Sequence, residues 1–128
     1  EVMSLCHDGV ECWGEVSHRA VLELAARARA RIYPVQHDEA HHHAGVDCLG
    51  VGCPVITYDR GAMAEVFEDG VDGFVVRDRV EFQGAMMKAE TLDRGKIEGR
   101  AWARWGPVAV GDRLMPVLIE ASRGARWG

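Results

Sequence analysis

Apolar and polar positions along this chain switch repeatedly between a period near two and a period near 3.6, which predicts strands separated by helices. After Ser17, a residue suited to cap a helix, Val21, Leu22, Leu24, Ala25 and Ala28 fall on one broad face. Arg19, Glu23 and Arg27 repeat every four residues on the opposite face, so a helix is predicted through about Arg29. A short strand is expected before it, over residues 11–16, and a buried strand after it, over 31–36. Residues 46–51 are read as helical, although Gly45 and Gly50 weaken that segment.

The clearest strand is 54–58, β-branched and aromatic, opened by Pro54 where no ladder donor is needed. Asp59-Arg60-Gly61 forms a turn and 62–67 a short helix; Gly70 and Gly73 punctuate the approach to a strand over 74–76. Helices follow over 81–90, about 93–105 and 111–122, with Gly106-Pro107 as a break. Strands alternating with helices over short connections predict an α/β fold, a Rossmann-like parallel sheet flanked by helices. Ligands of such sheets bind beyond the carboxyl ends of the strands. The loop 37–43, which follows the strand ending at Gln36, is therefore expected to face the site.

Several runs match one family in order. They are the strand Ile32-Tyr33-Pro34-Val35-Gln36 with the loop Asp38-Glu39, then residues 52–57 (GCPVIT), 58–66 (YDRGAMAEV) and 68–76 (EDGVDGFVV). The stretch from Tyr33 to Val76 resembles the C-terminal, donor-binding lobe of family-four (group 1) GT-B glycosyltransferases. The resemblance implies half of a GT-B fold as a single domain over 1–128, truncated on its N-terminal side. It also implies a UDP- or GDP-sugar donor, with no further cofactor required. The family's hallmark, two acids separated by seven residues, is held here by Glu39 and Asp47. By that resemblance Glu39 is the catalytic-site acid that binds hydroxyls of the transferred sugar, and Asp47 grips the ribose. A carboxylate suits both tasks because it accepts from two hydroxyls at once. The amides around His41, His42 and His43 are expected to face the diphosphate, and Gly14 and Val16 to border the base.

This chain departs from the family at defined places. Asp47 stands where the family has Glu, and His41-His42 where it has Phe-Gly. The family's diphosphate-clamping Arg and Lys, and the acceptor lobe, are absent. At 128 residues the chain has room for one domain but not for two lobes and a cleft, so catalysis is expected to need an acceptor lobe from another chain or a longer parent. The missing first strands would leave a sheet edge, which predicts a homodimer.

Residues 37–43 (HDEAHHH) place six imidazole or carboxylate side chains close together. The order is not the zincin HExxH, because the Glu comes one place late, so a metalloprotease is rejected. A solvated polar loop is the first reading, with His37, His41, His42 and His43 as weak metal candidates. Ser17 reads as a helix cap, Cys53 as a packed residue, and Trp13, Trp102 and Trp105 as core or interface residues.

Composition changes this picture little. The apolar share of 48% and charged share of 27% are those of a globular chain, and no apolar run approaches the roughly 18 residues of a membrane span. A net charge of −5 argues against nucleic acid as partner. The charge is uneven, +4 over residues 94–128 and −9 before them, which reads as a solvated helix face. Glu1-Val2-Met3-Ser4 resembles neither a signal nor a transit peptide and reads as a trimmed start, with Met3 as an alternative. The cysteines 6, 12, 48 and 53 are expected to be reduced, mostly buried, in a cytoplasmic protein.

Three functions are weighed: a donor-binding lobe of a retaining glycosyltransferase, a non-catalytic self-associating scaffold derived from such a lobe, and a histidine-cluster metal-binding module.

Overall fold

Residues 9–124 are described by a computed structural model. Met3 and Cys6, named above, lie outside them. Helix α1 (His18–Arg27) starts where expected: the Ser17 hydroxyl accepts from the Ala20 amide. It leads into β1 (Arg31–Tyr33), α2 (His43–Leu49), β2 (Val55–Tyr58), α3 (Met63–Val66) and β3 (Gly73–Val76). Helix α4 (Arg79–Lys88) follows, with a single 3₁₀ turn (Ala89–Thr91), then α5 (Arg94–Trp105) and α6 (Pro107–Ser122).

The described strands form one parallel sheet in the order β1-β2-β3, with Ile32 beside Ile56 and Ile56 beside Phe74. This is the α/β, Rossmann-like architecture the alternation predicted. The register of β3 depends on Gly73, whose φ is +155°; a Cβ there would lie 1.8 Å from the Val55 carbonyl oxygen. Only glycine lets the two backbones approach so closely.

Because successive strand residues point to opposite faces, β2 serves two cores. Val55 packs with Val35, Leu49, Met63, Phe67, Ile97 and Ala101, whereas Ile56 packs with Val76, Ala85 and Ala89. Burial of a side chain such as Leu49 or Phe67, each 1% exposed, stabilises by roughly 1.5–3 kcal/mol. Helix α5 is fastened at both ends by arginines. The Arg94 guanidinium donates to the carbonyls of Ala28 (2.6 Å) and Ala26 (2.9 Å) at the C-terminus of α1. Arg104 donates to the carbonyls of Glu65 (2.5 Å) and Val66 (3.2 Å) at the end of α3. Cations at helix C-termini satisfy carbonyls that the helix leaves unpaired.

Several expectations need correction. Residues 11–16 form no strand; they run irregularly into Ser17. β1 stops at Tyr33 instead of reaching Gln36, since Pro34 has no amide to donate to a ladder. α2 begins at His43, three residues early, and α6 at Pro107, because proline is tolerated in a first helical turn. Trp13 and Trp102 are more than half exposed and so are not core residues. Cys48 and Cys53 are free and buried as expected, but Cys12 is disulfide-bonded rather than reduced. No helix among the described residues is long and apolar enough to cross a membrane.

Candidate functional site

Glu39 sits on the loop that leaves the carboxyl end of β1, and three local features place it. The Tyr33 hydroxyl donates to its carboxylate at 2.8 Å, and His37 Nε2 lies 3.0 Å from the same oxygen. The Ala62 amide donates to its carbonyl at 2.8 Å, tying the loop to the turn after β2. That approach requires Gly61: its φ is +56°, and a Cβ would lie 2.4 Å from the Glu39 carbonyl oxygen. The tyrosine hydrogen bond, and then His37, hold the Glu39 carboxyl below its usual range; the same bond pushes the Tyr33 phenol up.

The histidines of the cluster separate. His42 is 7% exposed, and its ring stacks on Tyr33 and meets Phe67 edge-on. Gly45 makes the space: a Cβ there would come within 2.5 Å of the His42 ring and 2.6 Å of Phe67. The imidazole standing where the family carries glycine is thus turned into the core. Its Nε2 has no hydrogen-bond partner among the described residues, and burial, followed by the Arg31 charge, pushes its pKa down. His41 lies edge-on to both Trp105 and His43, and burial also lowers its pKa. Among the described residues no group of three or more His, Cys, Asp or Glu is arranged to hold a metal ion.

Asp47 projects from α2 toward α1, where His18 Nε2 lies 2.9 Å from its carboxylate. Both side chains are largely open to solvent. They form one rim of a groove of about 270 Å³, whose other walls include Leu22, Val46, Trp102 and Trp105. Among the described residues Glu39 and Asp47 share no hydrogen-bond partner; each is positioned by its own neighbours. Gly14, with φ +64°, is exposed and Val16 half-buried, both shortly before His18 in the chain. His42, the residue before α2, makes no side-chain cap to it.

His18, Tyr33, Gly61 and Trp105 belong to this surface and were not singled out for it from sequence. Their positions depend on contacts across 29 residues for His18–Asp47, and on packing that no local spacing signals.

A parallel sheet with an acid on the loop beyond its first strand and a second acid on the next helix defines a Rossmann-like lobe, half of a GT-B fold. The family described as "Glycosyl transferases group 1" matches residues 1–90, a span containing Glu39, Asp47 and all three described strands. The chain belongs to this glycosyltransferase family. Comparison with curated proteins returned no match.

Proposed function

We propose that this domain is the nucleotide-sugar-binding lobe of a retaining glycosyltransferase. One observation carries the reading: within the family match, Glu39 is fixed at the carboxyl end of the sheet while its carboxylate stays ionised. It can therefore accept from sugar hydroxyls without first losing a proton. Asp47, one methylene shorter than the family's Glu, reaches the ribose from the rim it shares with His18. The base lies along the groove between that rim and Gly14–Val16. The backbone around His41–His43 faces the diphosphate, which departs with its charge stabilised electrostatically. The acceptor comes from a second lobe, in another chain or a longer parent.

A cytoplasmic setting is part of this reading. The Cys12 disulfide stands against it, since such bonds are rare in reducing compartments.

Calorimetric titration with UDP, GDP and their sugars tests the reading. Binding that weakens at least tenfold in Glu39→Gln and Asp47→Asn supports it. No heat and no thermal shift with millimolar nucleotide ends it.

A second reading, a non-catalytic self-associating scaffold, is favoured by a different observation. β1 is an edge strand among the described residues, beside an open groove of about 680 Å³ walled by Trp13, Leu24 and Ile32. Nucleotide-independent dimers disrupted by Ile32→Glu would favour it. The metal-module reading is not carried further, because among the described residues no three His, Cys, Asp or Glu side chains are arranged to hold a metal ion.

A further inference from the structure

Helix α6 is amphipathic the wrong way round for a monomer. At 100° per residue, Val108, Val110, Leu114, Met115, Val117, Leu118 and Ile119 cover an arc of about 200°. Ala109, Asp112 and Arg113 occupy the opposite side, and that polar side faces the domain. They line a cleft with Arg100, Arg104 and Trp105, and the Arg113 guanidinium donates to the Arg104 carbonyl and covers the Trp105 ring. The apolar arc points outward. No α6 residue is buried among the described residues, with Val108 75% and Leu118 51% exposed.

The last turns need more support than the domain supplies. Every residue from Asp112 to Gly124 is exposed, and Pro116 removes one helical hydrogen bond. An unsupported helix of this length is marginal in water.

We propose that the outer face of α6 pairs with the same face of a second copy of this chain, giving a two-fold dimer. Three features favour a second copy as occupant. Val110, Leu114, Val117 and Ala121 follow the 4-3-4 spacing of a coiled-coil seam. The arc contains no charged residue, so two copies meet without like-charge repulsion. Its exposed apolar area is on the order of 600 Å², the upper end of what a monomer leaves open and close to one side of a standard interface.

This interface is separate from the β1 edge and does not depend on donor binding.

Sedimentation velocity on the whole chain, from low to high micromolar concentration, tests the proposal. The expected result is a dimer that becomes a monomer in Leu114→Glu/Leu118→Glu while Ile32→Glu remains dimeric. If the glutamate variant fails to fold, Leu114→Ala/Leu118→Ala is expected to weaken the dimer at least tenfold. A chain that stays monomeric throughout, its outer face then belonging to a different domain, overturns the proposal. So does a dimer that survives the α6 substitutions.

Discussion

Tyr33 and His42 stack ring on ring, with 3.7 Å between centroids and 9° between planes. The same tyrosine donates to Glu39 at 2.8 Å, so one side chain joins the buried histidine to the candidate sugar-binding acid. The cluster that reads in sequence as six polar residues in a seven-residue loop is thereby divided, with one imidazole in the core and the rest nearer solvent.

The stacked ring carries a cost that substitution can remove. His42→Phe keeps the aromatic contact and eliminates the unpartnered Nε2. Relief of an unsatisfied buried group is expected to raise stability by about 1 kcal/mol, read as a rise of a few degrees in the thermal midpoint. His42→Ala is expected to destabilise by about 2 kcal/mol through the cavity it leaves. A phenylalanine variant no more stable than the parent would show that Nε2 is satisfied in solution.

Burial lowers the His42 pKa below 6.5, and that of His41 likewise. Between that value and the depressed folded one, the unfolded chain takes up protons that the folded chain refuses. Stability should therefore decline as pH drops below about 6.5. Thermal midpoints measured from pH 7.5 downward check this, and the decline should be shallower in His42→Phe. An unchanged slope in that variant would assign the effect elsewhere.

Glu39 moves in a lower window. Its carboxyl is held below 4.5, first by the Tyr33 hydrogen bond. The resulting stability is present at neutral pH and is lost as pH falls through the depressed pKa. Tyr33→Phe is expected to return the carboxyl toward its ordinary value, as read by NMR titration of the Glu39 side chain. Identical titration in parent and variant would mean the bond does not form in solution.

Gly61→Ala should affect both fold and site. The substitution meets the Glu39 backbone and strains a positive φ, at a cost of about 2 kcal/mol. A folded variant is expected to bind nucleotide sugar more weakly than the parent, because the Glu39 loop must shift. Retained stability together with retained affinity would contradict the close approach.

Arg94→Ala removes the guanidinium that satisfies the last carbonyls of α1. The expected loss is about 2 kcal/mol by urea denaturation. Arg94→Lys should restore only part of it, since one ammonium cannot reproduce the forked contact. Full recovery with lysine would reduce the role to charge at a helix end.

Most of the secondary structure was legible because its signals are local. Ser17 accepts an amide at the start of α1 as its residue type suggested, and the β-branched run at 55–58 needs no partner to be recognised; Asp78 starts α4 at Arg79, two residues ahead of the expected helix. The runs from 52 to 76 likewise pointed to the family, which the match over residues 1–90 shows. Residues 11–16 misled because an alternating pattern forms a strand only where a neighbour offers a ladder.

What the chain order alone determined was the sequence of elements, the parallel sheet and the spacing of Glu39 and Asp47. Those depend on period, capping and turn chemistry within a few residues. Only the tertiary structure decided that His42 enters the core while His41 turns to Trp105, that His18 reaches Asp47, and that α6 shows its apolar side to solvent. Each of these is set by which surfaces lie opposite one another after folding, a relation between distant residues that no local pattern encodes.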